Sequence, residues 1–284
     1  MKSPAFDYLR ASSAQQVHAL LAQHGDDARV LAGGQTLLAT LNMRLSQPAL
    51  LIDIGGLEAL RGIALDGNVL RIGALTTHAQ IESSPLVARH APLLAQAAPH
   101  IAHRAIRNLG TLGGALAYAD PAAEWPACAL ALDATLVLHS PGGERRVAAQ
   151  DFFLGLYTTA MQADELLAAL ELPVLAPGER QHFDELSRRR GDYAVAGLAA
   201  RARPAGGQLN DLRLVFLSLG DRPLRARAAE AVLQAGALDA ARIDAADAAL
   251  RAELDPFADL THSVAAKTQL AATLMRRAVR ALAA

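Results

Sequence analysis

The first fifty residues alternate between short apolar runs and stretches with helical spacing. Val17, Leu20 and Leu21 recur at the spacing of one helix face, and Ser12 and Ser13 stand directly before that stretch as capping residues. A short apolar run bounded by glycine is typical of a buried strand. The predicted elements are a helix over 14–23, a strand over 28–31, a helix over 37–45 and a strand over 49–54.

The pattern becomes richer in β-prone runs after residue 57. Two pairs of such runs flank Asp66-Gly67-Asn68 and Pro141-Gly142-Gly143, and each turn signal predicts a hairpin. Apolar positions at helical spacing lie between the two hairpins. The predicted elements are strands over 61–65 and 69–73, helices over 76–81, 85–90, 92–106 and 125–132, strands over 134–139 and 145–147, and a strand over 165–172.

Pro173, Pro177 and Gly178 mark a boundary before a third segment. The elements predicted beyond it are strands over 182–189, 194–203 and 212–219, followed by helices over 223–234, 240–254 and 261–282. We therefore predict an α+β chain of three units that span residues 1–56, 57–175 and 176–284.

Composition and charge narrow the functional classes. The chain has 284 residues, 52% of them hydrophobic, and a formal net charge of -1, so it can bury a large core but has no basic surface for nucleic acid. Charged residues interrupt every apolar stretch before the roughly 18 residues of a membrane span are reached, and the N-terminal segment lacks the apolar core of a signal peptide. A cytoplasmic protein is expected.

Cysteine and histidine usage limits the metal chemistry. Cys128 is the only cysteine, so the chain itself can form neither an internal disulfide nor an iron–sulfur cluster. The nine histidines show no metal-ligand spacing. We expect no metal site in this chain, and Cys128 is expected to be a small core residue.

Two glycine doublets are the strongest candidates for ligand binding. Ala32-Gly33-Gly34-Gln35-Thr36 follows a predicted strand, and Thr111-Leu112-Gly113-Gly114-Ala115 lies far downstream. Glycine lets main-chain N–H groups approach an anion, and threonine adds an uncharged donor. Two such loops can hold one diphosphate, which suggests a dinucleotide. Neither has the spacing of a P-loop or a Rossmann fingerprint, and each doublet alone can also be an ordinary turn.

The chain resembles the FAD-binding medium subunit of the molybdenum hydroxylases, the xanthine dehydrogenase and carbon monoxide dehydrogenase family. Three ordered motifs carry the resemblance: the first doublet with its flanks, the second doublet with its continuation Ala119-Asp120-Pro121-Ala122-Ala123-Glu124-Trp125-Pro126, and Arg189-Arg190-Gly191-Asp192-Tyr193-Ala194. It implies a two-subdomain FAD-binding module of the vanillyl-alcohol-oxidase (PCMH) type. A C-terminal antiparallel sheet with helices, of the CO dehydrogenase flavoprotein type, then follows.

The resemblance also implies the residues that contact FAD. Glu124 stands where relatives usually have Asp, near the ribityl chain or flavin, and it can alternatively be a solvated carboxylate at a helix start. Tyr193 is placed near the flavin ring or, alternatively, in the core. Asp184 stands where some members have a flavin-directed Lys. The implied cofactor-binding set is Ala32, Gly33, Gly34, Gln35, Thr36, Leu37, Thr111, Gly113, Gly114, Ala115, Glu124, Leu167, Leu172 and Tyr193, with Leu167 and Leu172 in the region that packs on the adenine.

The resemblance implies an electron-transfer role with no catalytic residue in this chain. A large molybdopterin subunit and a small subunit with two [2Fe–2S] clusters are the implied partners, as a dimer of heterotrimers, and FAD passes the electrons to an external acceptor. Arg188 to Arg190 is either a solvated surface or a subunit contact. The form of the Ala119–Pro126 motif is similar to that of N-heteroaromatic hydroxylases. The alternatives are a self-contained flavin reductase and a flavin-free nucleotide-binding or assembly protein of the same fold.

Overall fold

A computed structural model describes residues 2–284. The first unit is a three-stranded parallel sheet in the order β1-β3-β2 with two helices. Ser13 begins the first helix, where its side chain accepts a hydrogen bond from the Gln16 N–H at 3.2 Å, as its capping role requires. The elements are β1 (Asp7–Arg10), α1 (Ala14–His24), β2 (Ala28–Leu31), α2 (Leu37–Asn42) and β3 (Leu50–Asp53).

The second unit is an antiparallel five-stranded sheet in the order β4-β5-β10-β6-β7, covered by short helices. Both predicted hairpins are present, as β4–β5 and β6–β7. The elements are β4 (Ile63–Asp66), β5 (Val69–Gly73), α3 (His78–Ser83), α4 (Pro85–His90), α5 (Pro92–Ala97), α6 (Arg104–Arg107), α7 (Leu112–Tyr118), α8 (Glu124–Ala131), β6 (Thr135–Ser140), β7 (Gly143–Ala148), α9 (Ala149–Phe152), β8 (Phe153–Gly155), β9 (Thr158–Thr159) and β10 (Leu166–Pro173).

The prediction of one helix over 92–106 is wrong. The segment divides into α5, a 3-10 turn over 98–100, and α6. Pro99 has no N–H to continue the helical ladder, and Ala102 adopts the left-handed region with φ of 40°. The break ends the helix early and turns the chain toward the second glycine doublet.

The third unit is an antiparallel sheet in the order β11-β12-β13-β14, followed by three helices. The prediction that a helix begins at Pro223 is wrong, because Leu224 and Arg225 instead pair with β13 as an edge strand. The elements are β11 (Arg180–Ser187), β12 (Ala194–Ala205), β13 (Gln208–Leu217), β14 (Leu224–Arg225), α10 (Arg227–Gln234), α11 (Ala240–Glu253) and α12 (Val264–Ala283).

Buried apolar side chains join the second and third units. Trp125 and Cys128 on α8 are buried in the largest core cluster, and α8 packs against β12 and β13 of the C-terminal sheet. This observation confirms Cys128 as a core residue and the α+β fold class. The boundaries at 56/57 and 175/176 stay predictions. Within residues 2–284, no helix has both the length and the apolar character needed to cross a membrane.

Candidate cofactor site

The two glycine doublets meet in space. A Cβ atom built on Gly33 would lie 2.2 Å from the Leu109 carbonyl oxygen and 2.9 Å from the Cα of Gly110. A Cβ on Gly114 would lie 3.8 Å from the Cβ of Ala32. The first loop therefore needs glycine to approach the second, and the two loops border one site.

The first loop offers a run of unused donors. The N–H groups of Gly33, Gly34, Gln35 and Thr36 donate to no acceptor among residues 2–284. Gly34 has a φ of +70°, a conformation that L side chains rarely adopt, and the Gln35 side chain braces the loop by donating to the Gly33 carbonyl at 3.2 Å. Consecutive unpaired N–H groups in front of a helix are a suitable site for a phosphate group.

The N–H groups of the second doublet make hydrogen bonds within the chain, and a contact of this doublet with FAD stays a prediction. The Gly113 N–H donates to the Ala74 carbonyl at 2.8 Å, and the Gly114 N–H donates to the Thr111 hydroxyl oxygen at 3.2 Å. A Cβ on Gly113 would lie only 2.4 Å from the Cβ of Ala74. Gly113 thus permits close packing of α7, which Thr111 caps, and the N–H groups of these two glycines are already engaged. Ala115 follows in the same first turn, partly exposed.

Helix α7 leads from the glycine loops to a group of tyrosines. The seven steps from Thr111 to Tyr118 span about 10 Å at 1.5 Å per residue. The Tyr118 and Tyr157 rings lie 5.0 Å apart. Desolvation raises the pKa values of these two phenols and of Tyr193. The negative charge of nearby Asp120 raises all three pKa values further. We call Tyr118, Tyr157 and Tyr193 the tyrosine cluster; it holds three of the four tyrosines of the chain.

Tyr193 is not a core residue. Its side chain is 69% exposed, so the alternative that it belongs to the core is wrong. An exposed aromatic ring beside other aromatic rings presents a surface on which a planar ligand can stack.

Two glutamates, Glu124 on α8 and Glu185 on β11, have raised pKa values, and Glu124 lies close enough to Tyr193 for its charge to act on that phenol. Burial, followed by the charge of Asp120, raises the pKa of Glu124 at the start of α8 to about 7. Burial, followed by the charges of Glu124 and Asp184, raises the pKa of Glu185 on β11 to about 8. Glu124 is partly exposed at the helix start, and its contact with the flavin stays a prediction.

Asp184, at the position where some relatives carry a flavin-directed Lys, pairs with Arg277 of α12 at 3.1 Å.

Leu167 and Leu172 are 3% and 0% exposed and lie inside the central core, so neither presents a surface to an adenine in this structure. Leu37 is the first residue of α2 and is partly exposed next to the first loop.

The side chains of Arg188 to Arg190 are exposed. No group of three or more metal-ligating side chains occurs among residues 2–284.

Four residues near the site, Tyr118, Asp120, Tyr157 and Glu185, were not predicted from the sequence. A signal existed for the first two, because Asp120 lies inside the motif that carries the resemblance and Tyr118 directly precedes it. Tyr157 comes from the β8–β9 turn with φ of 50°, and Glu185 comes from another unit. The tertiary structure, rather than any local sequence pattern, brings Tyr157 to Tyr118 and Glu185 to α8.

Comparison with known proteins decides the family. Residues 4–175 match the model described as the FAD binding domain in molybdopterin dehydrogenase, and residues 181–282 match the CO dehydrogenase flavoprotein C-terminal domain. The chain belongs to the FAD-binding medium subunits of the molybdenum hydroxylases. It is accordingly a flavoprotein subunit of an oxidoreductase, with FAD as its cofactor.

Two relatives illustrate the range of this family. The carbon monoxide dehydrogenase medium chain of Hydrogenophaga pseudoflava is 37% identical over 281 residues, which cover 99% of this chain and 98% of the relative. The nicotine 6-hydroxylase medium subunit of Paenarthrobacter nicotinovorans is also 37% identical, over 279 residues that cover 98% of each chain.

Solved structures show the same fold over the whole chain. Carbon monoxide dehydrogenase from Hydrogenophaga pseudoflava lacking the Mo-pyranopterin moiety of its cofactor matches with a TM-score of 0.96 and 39% identity, over 99% of this chain and 98% of that one. Quinoline 2-oxidoreductase from Pseudomonas putida 86 matches with a TM-score of 0.93 and 36% identity, over 99% and 98%. The two-part FAD-binding fold with its C-terminal domain is thereby confirmed.

Proposed function

We propose that this chain is the electron-transfer subunit of a molybdenum-containing hydroxylase or dehydrogenase. It takes electrons from the [2Fe–2S] clusters of a small partner subunit and passes them to an external acceptor, while a large molybdopterin subunit oxidises the organic substrate. When bound, FAD supplies a group that accepts electrons singly and releases them in pairs.

The observation that supports this proposal most is the order of the first loop, helix α7 and the tyrosine cluster along the site. The unused N–H groups of residues 33–36 suit a diphosphate, and the second loop, which the first loop contacts, leads into α7. Tyr118 of the tyrosine cluster lies at the far end of α7, about 10 Å from Thr111 at 1.5 Å per residue. That separation suits a ribityl chain between diphosphate and ring. FAD is therefore proposed to lie along α7 with its ring at the tyrosine cluster.

The residues of this chain have binding and orienting roles. The first loop binds phosphate oxygens, the contact of Gly33 with Leu109 and Gly110 fixes the spacing of the two loops, and the tyrosine cluster excludes water from one side of the ring. Among residues 2–284, no cluster of metal-ligating side chains provides a second redox centre. Electrons therefore have to enter and leave across the protein surface.

Similarity to known medium subunits does not identify the organic substrate of the complex. Relatives named for carbon monoxide and for nicotine share the same 37% identity with this chain. An N-heteroaromatic substrate and a dimer of heterotrimers stay predictions. A cytoplasmic location also stays a prediction, which cell fractionation tests.

Gentle purification of the tagged chain from its native host tests this proposal. We expect a yellow complex in which an iron–sulfur protein and a molybdopterin protein co-elute with the chain. A lone chain that oxidises an organic substrate at full rate would contradict the proposal and favour a self-contained flavoenzyme.

A further inference from the structure

The second glycine loop is hydrogen-bonded to the segment that precedes α3. His78, the first residue of α3, lies at the end of this segment. The main-chain hydrogen bonds that join the two segments run from the Gly113 N–H to the Ala74 carbonyl at 2.8 Å, from the Leu112 N–H to the Thr76 carbonyl at 2.9 Å, and from the His78 N–H to the Gly110 carbonyl at 3.0 Å. The backbone of His78 is therefore fixed against Gly110.

The imidazole ring of His78 also packs on Gly110. A Cβ atom built on Gly110 would lie 2.7 Å from Nε2 and 2.8 Å from Cδ2 of His78, closer than Cβ atoms approach other atoms in proteins. Gly110 is also the residue that the first loop contacts, because a Cβ atom built on Gly33 would lie 2.9 Å from its Cα. One glycine thus touches both the His78 ring and the first loop.

A buried hydrogen bond fixes the orientation of this ring. The Trp125 indole Nε1–H donates to Nδ1 of His78 at 2.9 Å, and the two ring centroids lie 5.8 Å apart. His78 and Trp125 are only 5% and 1% exposed. An indole N–H can only donate, so Nδ1 acts as the acceptor and the proton of the neutral imidazole is on Nε2. The Nε2 edge of the ring is the one that faces Gly110.

The imidazole stays neutral, which preserves this hydrogen bond. Burial, followed by the positive charge of Arg107, lowers the pKa of His78 to about 4. Arg107 is itself held by Glu82 at 2.8 Å. Rotation of the His78 ring or protonation of its Nδ1 would leave the Trp125 N–H without an acceptor in the core, which is costly. The ring therefore has one orientation at pH 7.

We propose that His78 is a positioning residue for FAD: its ring, held by Trp125, sets the distance between the two glycine loops and thereby the place of the first-loop N–H groups. The inference rests on the position of FAD given as part of the proposed function. Phosphate oxygens are bound best when several donors reach them together with good geometry. Because Gly33 packs on Gly110, a shift of Gly110 disturbs several of these contacts at once.

The first arm of the test measures the Kd for FAD in flavin-free His78→Ala, Gly110→Ala and the double variant. His78→Ala leaves a gap beside Gly110, whereas Gly110→Ala places a methyl group where the ring lies. We expect the Kd to rise roughly tenfold in each single variant, which corresponds to about 1.4 kcal/mol. In the double variant the new methyl group occupies the gap, so its Kd should lie below that of either single variant.

The second arm separates positioning from stability. His18→Ala is the matched control, because it removes another buried histidine, whose Nδ1 lies 3.1 Å from the Asp164 carbonyl oxygen. This variant should have a lower Tm but the wild-type Kd for FAD. Trp125→Phe keeps an aromatic ring in the core and removes the N–H donor, so we expect a raised Kd.

The third arm identifies the tautomer by NMR of the imidazole nitrogens in the flavin-free chain. We expect His78 of the wild type to have a proton on Nε2 and none on Nδ1, and Trp125→Phe to lose this signature. A proton on Nδ1 in the wild type would contradict the hydrogen bond from Trp125 and overturn the proposal.

The affinities decide the remaining outcomes. A wild-type Kd in His78→Ala, or in Trp125→Phe if His78→Ala does not fold, would overturn the proposal. A double variant whose effect is the product of the two single effects would overturn it as well, and so would an equal rise of the Kd in His18→Ala. Failure of the electron-transfer proposal would instead appear as a flavin that the iron–sulfur partner does not reduce, which leaves these affinities unaffected.

Discussion

Replacement of Thr36 by valine tests whether the first loop holds the FAD diphosphate. Thr36 precedes α2 but makes no capping hydrogen bond with its side chain, and valine conserves its volume and branching. The hydroxyl is therefore available to a ligand, and its removal leaves the fold unchanged. A hydrogen bond to a charged group contributes about 1.5–3 kcal/mol, so the Kd for FAD should rise roughly 10- to 150-fold in Thr36→Val.

Thr40→Val provides the control within the same helix. The Thr40 hydroxyl donates to the Leu37 carbonyl at 2.8 Å, so this variant loses a hydrogen bond of the fold without losing a ligand contact. Titration of flavin-free protein with FAD, followed by flavin fluorescence, measures both affinities. If Thr36→Val binds FAD as tightly as wild type, the diphosphate does not lie at this hydroxyl.

Three further variants probe packing, the flavin ring and pH dependence. Gly113→Ala places a Cβ 2.4 Å from that of Ala74, so thermal unfolding should show a loss of about 1–3 kcal/mol; unchanged stability would refute the close-packing role. Tyr193→Ala, at a 69% exposed position, should alter the flavin potential or its reoxidation rate with little change in Tm, and the reverse result would contradict ring contact. Because the folded-state pKa of Glu185 is raised from 4.5 to about 8, its contribution to stability is complete below pH 4.5 and is lost as the pH rises toward 8, by up to about 1.4 kcal/mol per pH unit. Chemical unfolding of the flavin-free chain should therefore show that the free energy of unfolding of Glu185→Gln rises relative to that of wild type between pH 5 and 8. A difference in unfolding free energy that stays constant with pH would refute the raised pKa.

Local patterns predicted most elements of the fold. The helix at Ala14–His24 and the strand at Ala28–Leu31 follow from capping and apolar spacing, which depend on neighbours along the chain. The helix over 92–106 was wrong because a single proline and the left-handed Ala102 outweighed the apolar periodicity. Edge strand β14 was not predicted, because its pairing with β13 is seen only in the tertiary structure.

The site was predicted less completely than the fold. Both doublets lie at the site, but sequence alone cannot show that Gly113 serves packing on Ala74 while the N–H groups of Gly33 to Thr36 remain unused. The same limit applies to Glu185, whose unusual pKa arises from burial and from Glu124 on another unit. Hydrogen-bond occupancy and desolvation depend on contacts between distant segments.

The central claim is that electrons reach the flavin of this chain through partner subunits. The most direct test mixes the organic substrate with the flavin-loaded chain alone, with each purified partner, and with both the iron–sulfur and molybdopterin subunits, without oxygen. Flavin absorbance should bleach only when both partners are present, because the proposed function assigns oxidation of the substrate to the molybdopterin subunit. Bleaching of the isolated chain by substrate would contradict the claim.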